Sequence, residues 1–425
     1  MIKQRAGARM SVKFSLKPDG VRDFLPEMAA AKRSLEKTLY DVFTDWGFEE
    51  VITPAFEYLE TFLMGYSFDM AERIYKFFDR KGRVLALRPD MTTPIARIVA
   101  NHYKDLQFPL RLCYFSNIFR FEEPRGGRQC EFYQAGAELI GVEGIDYDAE
   151  IIALAVEGLK KAGIKEFKVS VGHTGFLKGI LNAVDAEEEI KDDIHTLLLN
   201  KDFVGLKKLL DSCRFDDSLR ELILGLTRNS GNVIEENDRI CKNEIIARAI
   251  KELKTLKHLL SAYDVEKYIS FDPALIRPLD YYTGIIFEIY SPSLGFPLCG
   301  GGRYDNLIEK FNGSYPATGF AFYIEGILQV LERQNTIKAN TDRDYLICYD
   351  EINIEKAIKR AVELRNRGYG VELYKTGDRE KGISYAEKKG FRELFMFEGE
   401  REEKITLLKK RNTMVNNKFL WCGIH

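Results

Sequence analysis

Two long strand-like segments joined by a short charged loop are the feature that most constrains the fold of this chain. The first runs over 110–123 ("LRLCYFSNIFRFEE") and the second over 130–141 ("CEFYQAGAELIG"), with the polar loop "PRGGRQ" between them. Aromatic and β-branched residues favour extended structure, and a short connection favours an antiparallel pair. Helix-like and strand-like segments lie on both sides of this pair. We therefore predict an α+β fold built on an antiparallel sheet flanked by helices.

The segments before this pair alternate between helix and strand. An apolar helical stripe runs through 28–48, where Gly47 provides a stop signal. The segment 73–90 indicates a hairpin that turns at Lys81 and Gly82. A second helix is expected to begin at "TTPIARIVANHY", with Thr93 as its N-cap and a proline in its first turn. An amphipathic helix then follows the strand pair.

The length of 425 residues predicts more than one domain. The region 185–262 is helix-compatible, charged and free of proline, which indicates a helical insertion. Strand patterns return after it and continue to about residue 335. The mixed-charge stretch that follows is typical of a linker, and 343–425 alternates strand and helix as a small α/β domain does. We predict a main domain over 15–335 that contains the insertion, and a second domain over 343–425.

Composition excludes several classes of function. No stretch of eighteen uninterrupted apolar residues is present, and the basic N-terminus lacks the features of a signal peptide, so we expect a cytoplasmic protein without membrane spans. The seven cysteines form no C-x-x-C pair and the five histidines show no ligand spacing, so we expect neither a metal nor another cofactor. A net charge of -2 provides no overall attraction to nucleic acid.

Polar side chains lie within the strand pair itself. Alternation places Gln134 and Glu138 on one face of their strand, and Gly136 between them leaves room for a ligand. On the preceding strand Arg120 is a further polar residue, and the two arginines of the loop, Arg125 and Arg128, could hold an anion. A solvated hairpin with a charged tip is the alternative interpretation.

Three further stretches could contribute to a binding site. Asp90 and Thr92 precede a helix, where they either cap free N–H groups or accept hydrogen bonds from a ligand ammonium group. Arg277 lies near the doubled tyrosines of "DYYTG" and could hold a carboxylate, although such tyrosines also pack between strands. Three glycines at 300–302 indicate close approach of the backbone to another group, but no phosphate-binding motif surrounds them.

An ordered set of motifs runs through the chain. The motifs are "PDGVRDFLPE", "LRPDMTTP", "FRFEEPRGGRQCEFYQAGAELIG", "LDYYTGIIFE", "GGGRYDNL" and "GFAFYIEGIL". Together they resemble the histidyl-tRNA synthetase family, a class II aminoacyl-tRNA synthetase-like fold. The resemblance covers roughly 15–335, and the C-terminal domain is similar to an anticodon-binding domain. Two families share this fold: the synthetase and its paralogue, the regulatory subunit of ATP phosphoribosyltransferase, the enzyme that begins histidine biosynthesis.

The resemblance implies a histidine-binding site. It assigns polar groups to the α-amino end, the imidazole and the carboxylate of the amino acid, with tyrosines as a wall. The expected site residues are Asp90, Thr92, Arg120, Gln134, Glu138, Arg277, Tyr281, Tyr282 and Tyr304. Such a set is chemically reasonable, because a zwitterion with an imidazole needs acceptors for its ammonium group and a cation for its carboxylate.

Departures from the synthetase pattern distinguish the two families. The synthetase ends its last motif with a glutamate-arginine pair whose arginine binds ATP, whereas this chain has Glu325 and Gly326. Tyr323 stands where glycine is usual, and Cys130 replaces a residue that is usually basic. The wording "LRPDMTTP" is closer to the regulatory subunit. Two features favour the synthetase instead, namely the retained Arg277 and the presence of a C-terminal domain.

The resemblance therefore implies a non-catalytic regulatory subunit that binds L-histidine for feedback control and activates a separate short-form ATP phosphoribosyltransferase catalytic subunit. It implies no tRNA partner and a homodimer as the building block of a hetero-oligomer. The apolar stripe of the first helix could contribute to that dimer, or it could be internal core. The alternatives are a histidyl-tRNA synthetase, or a stand-alone amino-acid-binding module of the same fold.

Overall fold

The computed structural model describes residues 17–66, 71–103, 107–121, 129–184, 186–213, 215, 220, 223–224, 243–277, 281–337 and 343–407. The chain divides into two compact units. The larger consists of Leu35–Ile337 with the N-terminal residues up to Asp23, and the smaller of the residues from Lys338 onward with Phe24–Ser34. The assignment of these regions to named domains stays a prediction.

The larger unit contains most of the strands. In chain order they are β1 (Glu49–Glu50), β2 (Phe56–Tyr58), β3 (Lys76–Phe78), β4 (Val84–Leu87), β5 (Leu110–Phe119), β6 (Glu131–Ile140), β7 (Lys168–His173), β8 (Ile269–Phe271), β9 (Ile285–Tyr290), β10 (Cys299–Arg303) and β11 (Ala317–Tyr323). Within the described residues, eight of them form one sheet in the order β1-β5-β6-β11-β10-β9-β7-β8, and β2, β4 and β3 form a smaller one. The predicted strand pair is confirmed as the antiparallel β5 and β6.

The helices lie between these strands. They are α1 (Pro26–Asp45), α2 (Leu59–Leu63), α3 (Thr92–His102), α4 (Ile145–Ala162), α5 (Thr174–Ala183), α6 (Glu188–Leu199), α7 (Phe203–Ser212), α8 (Glu244–Ala262) and α9 (Ile324–Arg333). The α+β fold with a largely antiparallel sheet is thus confirmed. Among the described residues, no helix is long and apolar enough to cross a membrane.

The apolar stripe of α1 packs inside the larger unit. Leu39 and Phe43 are fully buried, and the Phe43 ring lies 5.9 Å from that of Phe320 and 6.4 Å from that of Phe322, measured between centroids. Burial of such a face against a sheet is the main stabilising force for an amphipathic helix. The stripe is therefore internal core, the second of the two interpretations that the sequence left open.

The start of α3 differs from the prediction. Thr93 was expected as the N-cap, but the helix already begins at Thr92, and Thr93 lies in its first turn. The N–H of Thr93 donates to Oδ1 of Asp90 over 3.2 Å, so a carboxylate rather than a hydroxyl satisfies this free donor. The sequence offered two suitable capping residue types close together, and only the folded backbone selects between them.

Besides the N-terminal part of α1, the described residues of the smaller unit form a sheet and two helices. Its elements are β12 (Arg343–Tyr349), α10 (Ile354–Asn366), β13 (Val371–Lys375), α11 (Arg379–Lys389), β14 (Phe391–Glu398) and β15 (Arg401–Thr406). The strand order is β13-β12-β14-β15, with β12 parallel to both of its neighbours and β15 antiparallel to β14. Strand-helix alternation produces this arrangement because a helix must return the chain before a parallel strand can pair.

Candidate functional site

One pocket of about 550 Å³ lies on a face of the large sheet, where β5, β6, β9, β10 and β11 run side by side. All nine predicted site residues line it, although they come from four distant parts of the sequence. They are Asp90, Thr92, Arg120, Gln134, Glu138, Arg277, Tyr281, Tyr282 and Tyr304. Their shared position makes the pocket the candidate binding site; which ligand each side chain contacts stays a prediction.

Glycines in the strands make room for the polar side chains. Gly319 lies opposite Glu138 in the register of β11 and β6, and a Cβ atom at Gly319 would overlap Oε2 of Glu138. The space beside Gly136 is also used, but by protein: a Cβ atom there would overlap the phenol of Tyr114. The expectation that a ligand lies over Gly136 is therefore wrong, because the Tyr114 side chain crosses from the neighbouring strand and fills that position.

Glu138 is the buried acid at the centre of the pocket. Its Oε1 accepts a hydrogen bond from the Thr92 hydroxyl over 3.0 Å, and its Oε2 accepts one from the Tyr304 hydroxyl over 2.6 Å. Burial raises the pKa of Glu138 to about 8, although both hydrogen bonds lower it and Asp90 raises it further. At neutral pH the side chain is thus mainly protonated, so it can donate a proton as well as accept hydrogen bonds.

Asp90 caps the start of α3, one of the two roles that its position suggested, and its contact with a ligand stays a prediction. Its Oδ1 caps Thr93, as described above, while Oδ2 is buried and makes no hydrogen bond within the described part of the chain. Gln134 also presents a buried oxygen, Oε1, without a hydrogen-bond partner among the described residues. Buried acceptors without partners are costly, so a ligand that donates hydrogen bonds would stabilise both oxygens. At Asp90 it would do so beside the buried Tyr66 hydroxyl, whose interaction with this carboxylate lowers the pKa that burial raises.

Arg277 forms an ion pair that the sequence did not suggest. Its Nη1 donates to Oε1 of Glu288 over 2.9 Å, and the Tyr290 hydroxyl donates to the other oxygen of Glu288. Both Glu288 and Tyr290 line the pocket. A signal was available, since these residues stand two apart on the strand that follows the tyrosine motif and therefore share a face. The Arg277 guanidinium also lies 5.6 Å from the centre of the Tyr282 ring.

Tyrosine rings form the wall beside Glu138. The centroid of the Tyr281 ring lies 4.9 Å from that of Tyr282 and 5.8 Å from that of Tyr304, and all three side chains are buried. The doubled tyrosines thus do pack, yet they pack around the pocket. Their rings supply an apolar surface and their hydroxyls supply polar groups, which is the combination that a small aromatic ligand needs.

Arg120 reaches across from the end of β5 to the segment before α3. Its Nη2 donates to the Pro89 carbonyl over 2.8 Å, and its guanidinium lies 5.6 Å from the centre of the Phe132 ring. This contact holds the backbone next to Asp90. The proposed anion-holding loop that follows, with Arg125 and Arg128, lies outside the described residues.

Apolar side chains lie next to Gly326 in the first turn of α9. A Cβ atom at this position would lie 3.2 Å from Leu298 and 3.2 Å from Phe296, so the space next to the backbone is already occupied by carbon atoms. Glu325 points back to the sheet, where both of its carboxylate oxygens accept from the N–H of Tyr133 at 3.0 Å. Glu325 thus has a structural contact, while Gly326 offers no polar side chain.

Several lining residues were missed by sequence reasoning. The turn between α6 and α7 contributes Leu199, Asn200 and Lys201, and Arg73 comes from the segment before β3. No pattern marks these residues, because the turn belongs to the insertion and reaches the pocket only in the folded chain. Within the described ranges, no group of three or more acidic, histidine or cysteine side chains could hold a metal ion.

Comparison with known proteins identifies the family. The histidyl-tRNA synthetase family model matches residues 20–327. A curated relative from Moorella thermoacetica, named ATP phosphoribosyltransferase regulatory subunit, is 44% identical over 84% of this chain and 91% of its own length. A relative of the same name from Acetivibrio thermocellus is 38% identical over 88% of this chain and 90% of its own length.

Solved structures agree with these matches. A Bacillus halodurans structure described as an ATP phosphoribosyltransferase regulatory subunit/histidyl-tRNA synthetase is 33% identical, with a TM-score of 0.80 over 91% of this chain and 99% of that one. Histidyl-tRNA synthetase from Nostoc sp. PCC 7120 is 21% identical with a TM-score of 0.75 over 92% and 97% of the two chains, and this match concerns the fold alone. The chain belongs to the ATP phosphoribosyltransferase regulatory subunit family, whose members share the class II histidyl-tRNA synthetase-like fold.

Proposed function

We propose that this chain binds L-histidine in the sheet pocket and transmits that binding to a separate short-form ATP phosphoribosyltransferase catalytic subunit. One observation carries the proposal. The pocket retains buried acceptors suited to an amino acid, at Asp90 and Gln134, while carbon atoms surround the position where a synthetase would bind ATP with an arginine. A chain that has these acceptors but lacks an arginine for ATP would bind an amino acid without activating it.

The chemistry of the pocket suits the ammonium group and the imidazole of histidine. The free oxygens of Asp90 and Gln134 would accept from the α-ammonium group, and protonated Glu138 would pair with an imidazole nitrogen. The tyrosine wall would contact the faces of the ring. A ligand that satisfies buried groups gains affinity because those groups otherwise remain unpaired.

The part of the pocket near Gly326 supports the proposal that the chain lacks catalytic activity. Adenylation of an amino acid requires cations at the phosphates, because negative charge accumulates there in the transition state. Gly326 supplies no charge, and Leu298 and Phe296 lie next to it. We therefore propose a regulatory role without a reaction of its own. The retained Arg277, which favoured a synthetase, is already paired with Glu288.

The partner is proposed from the family name of the relatives, which are regulatory subunits of ATP phosphoribosyltransferase. We further propose a homodimer as the building block. The α1 stripe is buried within the chain and is unavailable for this contact, but the residues that follow it include exposed apolar side chains, among them Ile52 at 81% and Phe56 at 50% exposure. Exposed apolar groups in one region are typical of protein contacts.

The experiment mixes the purified chain with a short-form catalytic subunit at micromolar concentration. We expect light scattering to detect a hetero-oligomer larger than either protein, and phosphoribosyltransferase activity that rises on mixing and falls when L-histidine is added. Histidine can inhibit only if it binds the two states of the assembly with different affinity. An unbound catalytic subunit, or activity that ignores histidine in the mixture, would contradict the proposal.

A further inference from the structure

Arg277, the cation expected to bind the ligand carboxylate, already forms an ion pair with Glu288. The side chains of Arg277 and Glu288 are only 9% and 14% exposed, and their ion pair is 2.9 Å long. Glu288 is in turn fixed by the hydroxyl of Tyr290. The Arg277 Nε is buried without a hydrogen-bond partner among the described residues. The guanidinium therefore keeps donors for a ligand, but its positive charge is compensated.

The backbone of the sheet fixes the position of this pair. Gly300 lies opposite Glu288 in the register of β10 and β9, and a Cβ atom at Gly300 would overlap Nη1 of Arg277. The guanidinium thus occupies the space that the missing side chain of Gly300 leaves open, and its central carbon lies 5.6 Å from the centre of the Tyr282 ring. The glycine triplet provides the close approach that its composition indicated, and the group that approaches is Arg277.

We infer that Glu288 is a positioning residue that limits how strongly the pocket prefers a ligand with a carboxylate. This inference rests on the proposed histidine-binding function and deepens it. A bound amino-acid carboxylate has to share Arg277 with Glu288, so two negative groups meet at one guanidinium. Glu288 keeps Arg277 in place before the ligand arrives, and the same charge weakens the attraction of Arg277 for the ligand.

The substitution Glu288→Gln separates these two effects. Glutamine has nearly the shape of glutamate and retains an oxygen that can accept from Arg277, but it lacks the negative charge. Removing a partly buried charge near a binding carboxylate has an effect on the order of tenfold in affinity, because the charges interact through a poorly screening environment. Such a gain depends on a carboxylate in the ligand and is absent for a ligand without one.

The test is calorimetric titration of the full chain with L-histidine and with L-histidinol, its amino alcohol, which lacks the carboxylate. We expect Glu288→Gln to tighten histidine binding about tenfold and to leave histidinol within about twofold of the unchanged chain. Glu363→Gln is the matched control, because Glu363 also pairs with an arginine, at 2.7 Å from Arg360, but on an exposed helix outside the pocket. The control should change neither affinity.

A second variant keeps the test decisive if the first one folds poorly. The double variant Arg277→Met with Glu288→Gln removes both charges together, and it should bind histidine no more tightly than histidinol. The inference is overturned if Glu288→Gln alters both ligands in parallel or weakens histidine alone, or if the double variant still prefers histidine. Failure of the unchanged chain to bind histidine would instead contradict the proposed function, which distinguishes the two failures.

Discussion

Protonation of Glu138 is expected to make ligand binding in the pocket depend on pH. The Glu138 pKa of about 8 lies above the value near 6.5 of a free imidazole, so at neutral pH the pair of groups holds one proton in total. We expect histidine binding to be strongest between about pH 6.5 and about pH 8. Below this window both Glu138 and the imidazole are protonated, so one proton has to leave on binding. Above it neither group is protonated, so one proton has to be taken up. Calorimetry across pH 5–9 measures this profile.

The variant Glu138→Gln tests this assignment. It keeps one oxygen that can accept from Thr92 or Tyr304, while its NH2 group replaces the other acceptor. Because the amide cannot exchange a proton, the alkaline limb of the binding profile should disappear. Stability provides a second readout. Between about pH 4.5 and about pH 8 the unfolded chain has lost the Glu138 proton while the folded chain retains it, so the free energy of unfolding falls as pH rises. This fall should be smaller in the variant, and an unchanged fall would argue against a protonated Glu138.

Gly326 is the residue on which the proposed absence of adenylation depends. We expect Gly326→Arg to leave histidine-dependent ATP–pyrophosphate exchange at background, as in the unchanged chain. The Cβ atom of the added side chain would lie 3.2 Å from Leu298 and Phe296. The resemblance also implies that Tyr323 and Cys130 differ from the residues of a synthetase nucleotide site. Thermal denaturation checks that the variant is folded. Measurable exchange in either protein would contradict a purely regulatory role.

At the scale of elements, strand β11 determines whether the side chains of β6 can occupy the pocket. Gly319→Ala would place a methyl group against Oε2 of Glu138 and 2.7 Å from the Ala137 carbonyl oxygen. We expect a loss of about 1–3 kcal/mol in the free energy of unfolding, the usual range for overpacking. Histidine binding should weaken at least on the order of tenfold, because displaced Glu138 loses its Tyr304 hydrogen bond.

A glycine in an open position serves as the control for this substitution. Gly370→Ala adds the same methyl group in the smaller unit, where the nearest atom would be 3.6 Å away and the backbone angle is ordinary. Urea denaturation and calorimetry of both variants should show a change for Gly319→Ala alone. Equal effects at the two positions would mean that the strand contact has no special role.

For the whole molecule, the division into two compact units predicts how histidine stabilises the chain. Separate buried clusters support the two units, one around Tyr114 and Tyr304 and another around Leu346 and Leu394. We expect urea unfolding in two transitions, of which histidine shifts only one, by about 2.7 kcal/mol at a concentration of 100 times Kd. Fluorescence and circular dichroism follow the transitions, and a parallel shift of both would contradict independent units.

Much of the local structure was predictable from sequence, because it depends on short-range patterns. The strand pair β5 and β6, the α1 helix and the turn at Gly82 each follow from periodicity or from a residue with special backbone freedom. Helix starts were less accurate, since Asp90 and the hydroxyl residues after it are all suitable caps. The nine site residues came from recognising ordered family motifs, and the pocket that they line is consistent with that resemblance.

Sequence by itself determined the family, the order of helices and strands, and the absence of a side-chain charge at Gly326, since all three are properties of residue identity and spacing. Tertiary structure alone decided which charged groups pair and which side chains fill the space around the pocket. The pairing of Arg277 with Glu288, the filling of the space at Gly136 by Tyr114, and the turn at Lys201 beside the pocket all depend on strand register and packing. Charge compensation and burial depend on distances between residues far apart in the chain, and only the folded backbone sets those distances.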